Sequence, residues 1–335
     1  MGAPLRLLMS RQALEVLGPE LRTCFADRDW QPILVGEAPP QAQAEAQLAF
    51  ISRDITGTST KFELSAALAA FYDVLRASSS LRWLHVHSAG ADRPIYQELV
   101  ARGVTVTTSA GANANNVAVT ALASILALSR RFPSLMAAQA ERRWAPLLAC
   151  DMPDDLAGQH AVVVGWGPVG QAIAKRLAAF DVRISVVRRA AVSGSAGALP
   201  VFDYARLADA VCDAQWLVLA CPLSPLTRGL VDARVLAALP RGASLINVAR
   251  GEVIDDAALI DALRSGHLGG AHLDVFSHEP LPQASPLWEA PNLMITPHAA
   301  GHSTGNRARV SGLFLENLRC WLRSEPLRNV VPSAV

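Results

Sequence analysis

The sequence has little cysteine: Cys24, Cys150, Cys212, Cys221 and Cys320 in 335 residues. The number is odd, the spacing is wide and no CxxC occurs. That excludes a disulfide framework or a zinc site and points to a reducing compartment, the cytoplasm. Lysine is almost missing, with only Lys61 and Lys175 against 28 arginines. The arginines are scattered, which reads as codon usage rather than function. Net charge is +1, so there is no electrostatic footprint for nucleic acid or for an anionic membrane. No apolar run is long and charge-free enough to span a bilayer. The start, Met1-Gly2-Ala3-Pro4-Leu5-Arg6, lacks a signal-peptide core, and Arg6 stands where a myristoylation motif needs Ser or Thr. A soluble protein is expected.

What is present is apolar sequence in short pieces. Hydrophobic residues make up 51% of the chain and charged residues 18%, enough to bury large cores. The length suits two domains. Short apolar runs alternate with helical patterns, which predicts parallel sheets with crossover helices. One set of runs is Leu5–Met9, Leu48–Ile51, Trp83–Val86 and Val104–Val106. A second is Ala161–Val164, Ile184–Val187, Trp216–Leu219, Leu245–Val248, Gly270–Leu273 and Leu293–Ile295. A helical stretch from about Asn113 to Phe132 bridges the sets. A last helix, about Thr304 to Leu322, is expected to pack back on the first domain. The fold class is therefore α/β with two doubly wound parallel-sheet domains, the second a Rossmann dinucleotide-binding domain. The expected boundaries are 1–110 plus 303–335 for a discontinuous substrate (catalytic) domain, and 111–302 for the NAD(P)-binding domain. Ala191–Pro200, rich in Gly, Ser and Ala, is expected to be a loop.

The loop Gly165-Trp166-Gly167-Pro168-Val169-Gly170 follows a buried strand and opens a helix, expected over Val169–Ala179. A GxGxxG match alone is weak, but this context is that of a pyrophosphate site. The first glycine allows the turn, the second lets backbone approach phosphate, and the third lets helix sit against strand. The helix N-terminus offers free N–H groups to the anion, and Pro168 sits where a missing N–H costs little. At the end of the next strand an NAD enzyme usually carries Asp or Glu for the ribose hydroxyls. Here Arg188 and Arg189 follow Val187. A guanidinium cannot accept a hydrogen bond but can clamp a 2′-phosphate, so NADP is expected, with NAD possible. The alternative is a pair of solvated strand-end charges.

Three segments then lie at or beyond strand ends, where open α/β sheets bind ligands. They are Asn247-Val248-Ala249-Arg250-Gly251-Glu252-Val253-Ile254-Asp255, Leu273-Asp274-Val275-Phe276-Ser277-His278-Glu279-Pro280-Leu281, and Ile295-Thr296-Pro297-His298-Ala299-Ala300-Gly301. With Ser88-Ala89-Gly90-Ala91-Asp92, Pro222-Leu223-Ser224-Pro225-Leu226-Thr227 and Pro286-Leu287-Trp288, their order resembles the D-isomer-specific 2-hydroxyacid dehydrogenase family over nearly the whole chain. Within it the pattern is most similar to glyoxylate and hydroxypyruvate reductases.

The resemblance implies site roles. His298 would be the general acid in reduction, and an ordinary histidine, titrating near ~6.5, suits both directions. Glu279 would pair with His298, and Arg250 would hold the substrate carboxylate with its planar fork. Backbone N–H groups of Ala89 and Gly90 would bind the carboxylate's other side. Asp274 would contact the nicotinamide end of the cofactor, and Pro222 and Thr227 lie in a segment lining it. Taken singly, Arg250 could be a helix-start charge, Glu279 a loop charge and His298 a core histidine; taken together, in this order, they make a catalytic set. A metal could be drawn from His272, Asp274, His278 and Glu279, but hydride transfer to a nicotinamide needs none. His85 and His87 lie before the Ala89-Gly90 loop, His302 could line the site, and His160 and His267 are expected in loops.

The chain departs from its relatives at Val117-Ala118-Val119-Thr120, where an acidic residue is common. Arg53 and Trp288 are candidates for shaping the substrate pocket. Little chain follows the closing helix, which points away from phosphoglycerate dehydrogenases carrying an appended regulatory domain. Formate dehydrogenases differ in having Gln where this chain has Glu279. A dinucleotide-sensing, co-repressor-like binding protein would keep the same residues and stays open. The expected partners are a small 2-oxo or 2-hydroxy acid and a second copy of the chain, the stretch Pro133–Met152 serving as an arm of the homodimer.

Overall fold

The computed structural model describes residues 3–148, 152–189 and 199–332. Cys150 and most of the Ala191–Pro200 segment lie outside the described residues. The chain divides into two compact units, Met1–Asn113 with Ser303–Val335, and Ala114–His302. Each is built on a parallel sheet. Among the described residues no helix is long and apolar enough to cross a membrane.

The strands of the first unit are β1 (Leu5–Met9), β2 (Trp30–Leu34), β3 (Leu48–Ile51), β4 (Trp83–Val86) and β5 (Thr105–Thr108), in the spatial order β2-β1-β3-β4-β5. All four residues of β3 and of β4 are buried, because helices cover both faces; such strands show apolar runs, not alternation. Strand β2 was missing from the sequence-based expectation because Pro32 interrupts it. It is the sheet edge, bonded only to β1, where proline's missing N–H costs no ladder bond. The helix Arg11–Cys24 starts at Ser10, whose hydroxyl accepts from the Ala13 N–H at 3.0 Å. The closing helix Asn306–Leu322 belongs to this unit and buries Phe314, which stacks on Phe50 (4.2 Å between centroids) and Trp83 (5.7 Å).

A polar thread crosses this core. His85 Nδ1 lies 2.8 Å from Thr107 Oγ1 and Nε2 lies 3.1 Å from Ser109 Oγ, while Trp83 Nε1 donates to Thr107 Oγ1 at 2.9 Å. Burial, helped by the neighbouring His87, lowers the His85 pKa to about 3. His87 is lowered to about 4 by burial and by Arg53 and Arg93. Both rings are neutral in the fold but would bind a proton in the unfolded chain near ~6.5. Between those values the unfolded state holds more protons, so stability falls as pH drops below ~6.5. His85 alone is expected to cost about 2 kcal/mol at pH 5 relative to pH 8, with His87 acting in the same direction. Urea unfolding at the two pH values checks this; equal midpoints would contradict it.

The second unit carries β6 (His160–Val164), β7 (Arg183–Val187), β8 (Val201–Phe202), β9 (Trp216–Leu219), β10 (Ser244–Asn247), β11 (Gly270–Leu273) and β12 (Leu293–Ile295). Their order is β12-β11-β10-β9-β6-β7-β8. The chain winds outward one way from β6 to β8, returns to β9 and winds the other way, so the switch point lies between β6 and β9. Strand β8 was not expected: two residues are too short to show a period. His160 corrects a loop expectation. It opens β6, 6% exposed, with Nδ1 2.8 Å from Asp213 Oδ1 and Nε2 2.8 Å from Ser185 Oγ. The helix Ala114–Ser129 stops short of Phe132, which begins a separate helix, Phe132–Ala140. Its Ala118, Ala121 and Ile125 pack in one cluster with Ile173, Ala174 and Leu177 of the helix Pro168–Ala178.

Candidate functional site

The glycine loop leaves the carboxyl end of β6 at the switch point. Gly165 has φ +102°, and a Cβ there would lie 2.6 Å from the Cys221 nitrogen at the end of β9. Gly170 begins the helix packing: a Cβ would overlap the Gly165 carbonyl. At Gly167 a Cβ would meet nothing within 4 Å. The outer glycines are demanded by the protein's own backbone; Gly167 faces open space at the N-cap of the helix Pro168–Ala178, where an anion would be received. Arg188 and Arg189 follow β7, the first partly buried and the second exposed, and the Arg188 N–H donates to the Phe202 carbonyl at 3.0 Å.

After β9, the Pro222–Thr227 loop is locked from within. Thr227 Oγ1 accepts from the Ser224 N–H at 2.8 Å and donates to the Pro222 carbonyl at 2.7 Å. Thr227 is fully buried, so it offers a ligand no surface. Its part is to shape the Pro222–Thr227 loop.

Arg250 is set by the end of β10. Asn247, fully buried, donates from Nδ2 to the Arg250 carbonyl at 2.9 Å and accepts the Ala249 N–H at 3.0 Å. Gly251 follows because a Cβ there would overlap the Phe276–Ser277 backbone. That close approach sets Arg250 beside the segment carrying Glu279. The guanidinium is partly buried, with Nη1 donating to the Ala249 carbonyl at 2.7 Å. Asn247 and Gly251 shape the site but were legible only as members of the segment around Arg250.

Glu279 and His298 come together from the turns after β11 and β12. Glu279 Oε1 accepts the Phe276 N–H at 3.0 Å, and Oε2 lies 2.8 Å from His298 Nδ1. A carboxylate only accepts, so Nδ1 carries the hydrogen and Nε2 is left for other work. Burial acts to raise the Glu279 pKa. The hydrogen bond and charge of His298, the Phe276 N–H and the Arg250 charge outweigh it and hold the carboxyl below its usual range.

Asp274 anchors the turn after β12. It is 2% exposed, and its Oδ1 accepts from Ala299 N–H (2.8 Å), Ala300 N–H (3.1 Å) and Thr296 hydroxyl (2.6 Å). Its carbonyl accepts the His298 N–H at 2.8 Å. His298 has φ +52°, a left-handed conformation that few non-glycine residues adopt, and Asp274 ties down the backbone on both sides of it. Its carboxylate thus braces the turn that carries His298. Thr120 donates to the Ala300 carbonyl at 3.4 Å and braces the same turn. His272 Nε2 lies 2.9 Å from the Thr296 hydroxyl that also contacts Asp274. The Ala89-Gly90 loop follows β4 in the first unit. It is shaped by Ser88, whose hydroxyl donates to the Gly90 carbonyl at 2.9 Å and whose carbonyl accepts the Ser109 N–H at 2.9 Å. Trp288 is half-exposed, with Nε1 donating to the Pro282 carbonyl at 2.9 Å, and Arg53 is exposed at the start of the turn Arg53–Thr56.

A Rossmann sheet with a glycine loop at its switch point, and a histidine–carboxylate pair beyond its strand ends, defines a dinucleotide-binding oxidoreductase fold. Residues 122–300 match the D-isomer specific 2-hydroxyacid dehydrogenase, NAD binding domain. The chain belongs to that family. It is 31% identical over 270 residues to a glyoxylate reductase of Korarchaeum cryptofilum, covering 78% of this chain and 80% of that one. It is 33% identical over 263 residues to a D-3-phosphoglycerate dehydrogenase of Mycobacterium tuberculosis, covering 78% of this chain but 48% of that one. The chain thus spans about half the length of the mycobacterial relatives it matches. A D-isomer specific 2-hydroxyacid dehydrogenase from Xanthobacter autotrophicus Py2, solved in complex with NADPH and MES, superposes with a TM-score of 0.77 at 30% identity, over 99% of each chain.

Proposed function

We propose that this chain reduces small 2-oxo acids such as glyoxylate or hydroxypyruvate to 2-hydroxy acids, and runs the reverse reaction, with NADP preferred to NAD. The observation that carries the reading is the 2.8 Å pair of His298 Nδ1 and Glu279 Oε2, with Arg250 close enough to stabilise the carboxylate. The backbone left open at Gly167 fits a pyrophosphate, and the bound nicotinamide would supply or take the hydride. His298, oriented through Nδ1, donates a proton from Nε2 to the 2-oxo oxygen as it gains charge. Arg250 holds the substrate carboxylate by a two-point contact and polarises the adjacent carbonyl. Support for NADP comes from Arg188 and Arg189 after β7, which can bond a 2′-phosphate but cannot accept from a bare ribose hydroxyl.

The experiment is a screen of 2-oxo acids with both cofactors. Glyoxylate or hydroxypyruvate is expected to turn over steadily, with kcat/KM for NADPH at least tenfold above NADH, and R188A/R189A is expected to collapse the ratio. A ratio below one would remove the NADP assignment; cofactor binding without turnover of any 2-oxo acid would favour a sensor. The four described cysteines are unpaired, which suits the reducing cytoplasm. A homodimer accounts for the apolar side chains exposed on 132–148, among them Met136 at 67% and Trp144 at 94%. The solution mass is expected to be twice 35.6 kDa, and a monomer would count against the arm.

A further inference from the structure

We propose that His272 is a positioning residue for His298, acting through Thr296 and Asp274; this rests on the reading of His298 as proton donor. His272 lies on β11, fully buried, two residues before Asp274. Its Nε2 is 2.9 Å from Thr296 Oγ1, and that same hydroxyl lies 2.6 Å from Asp274 Oδ1. The carboxylate can only accept, so the single hydroxyl hydrogen points to Asp274. Toward His272 the oxygen is then an acceptor, and Nε2 carries the ring's hydrogen. Burial lowers the His272 pKa, which keeps the ring neutral with Nδ1 as a bare acceptor. Among the described residues, buried Nδ1 has no partner.

An orphan acceptor is a cost that a leucine or phenylalanine filling the same space would not carry. What the imidazole supplies in return is a fixed donor. It sets the Thr296 hydroxyl, which otherwise could rotate to a backbone acceptor, so that its hydrogen stays on Asp274. Asp274 Oδ1 then receives three hydrogens, from Thr296, Ala299 and Ala300, and the turn that holds His298 at φ +52° is pinned at both ends. The chain His272–Thr296–Asp274 touches neither substrate nor the His298 ring; it acts on where that ring stands.

The test compares H272F, H272Q, T296V and H272F/T296V with the parent enzyme, and H298A beside them. Glutamine places an amide N–H near the position of Nε2, whereas phenylalanine keeps the bulk and removes the donor. H272F is expected to lose roughly tenfold in kcat with KM for NADPH within twofold, because reacting groups held slightly off line lose rate rather than cofactor affinity. H272Q is expected to recover most of that loss. T296V should match H272F, and the double variant should be no worse than either single one, since one chain is broken once. Should H272F fail to fold, T296V against H272Q makes the same comparison. Parent-like kcat in folded H272F or T296V, or losses that multiply in the double variant, would overturn the proposal. If H298A is inactive while H272F is parent-like, the positioning role alone fails. If H298A keeps its turnover, the reading of His298 fails and the positioning role with it.

Discussion

His298→Ala is expected to lower kcat for 2-oxo acid reduction about a thousandfold, within the range spanned by a general acid, while KM for the cofactor changes little. The ring is half-exposed and its Nδ1 is committed to Glu279, which leaves the proton transfer to Nε2. Glu279→Gln tests the pair rather than the proton. The amide still accepts a hydrogen bond but no longer carries the charge beside the ring, so the loss should be smaller than that of H298A. In the parent, Glu279 is held below its usual range, so it stays ionised through neutrality and the pair is lost only as pH falls through that lowered value. Steady-state kinetics of the two variants from pH 5 to 9 check both statements. An H298A enzyme retaining most of its kcat would remove the assignment.

The second large effect is expected at Arg250. Arg250→Lys keeps the charge but replaces a planar five-donor fork with a point charge, and kcat/KM is expected to fall about a hundredfold, about 2.7 kcal/mol of transition-state stabilisation. Part of the loss is local: Nη1 braces the turn through the Ala249 carbonyl at 2.7 Å, a contact the shorter ammonium cannot keep while also reaching a substrate. Arg250→Ala should lose more, and most of it in KM for the 2-oxo acid. Binding of NADPH, followed by fluorescence, should be nearly unchanged in both, because Arg250 is assigned to the acid rather than to the dinucleotide. Equal kcat/KM for the lysine variant and the parent would show that the fork does not hold the carboxylate.

Much of this was legible along the chain because it is encoded locally. The strands β1, β3, β4 and β5, and six of those in the second sheet, each show as a short apolar run, since both faces of each sheet are buried. The glycine loop is legible because each glycine answers a local demand: crowding at Gly165 and Gly170, openness at Gly167. Family membership followed from the order of several such segments, none decisive alone. What escaped was local signal of the wrong size or kind. Pro32 hid an edge strand, and Val201-Phe202 was too short to show. His160, with no apolar residue before it, gave no sign of opening β6.

The tertiary structure decided which atoms meet and how. Arg250, Glu279 and His298 come from turns after three different strands, and their meeting depends on β10, β11 and β12 lying side by side in register. The family resemblance implied that Glu279 would pair with His298, but the 2.8 Å contact of Oε2 with Nδ1 is a matter of packing. The same holds for Asp274, an ordinary site carboxylate along the chain, which in three dimensions spends both oxygens on the backbone that holds His298. Thr227 and His272 likewise look like ligand-facing groups in sequence and are buried in the fold. Side-chain chemistry and local conformation are properties of a few neighbouring residues, so the sequence by itself determined the elements, the dinucleotide loop and the family. Burial and hydrogen-bond partners are properties of strand pairing across many tens of residues, so which groups face a substrate and which hold them in place was decided only by the packed sheet.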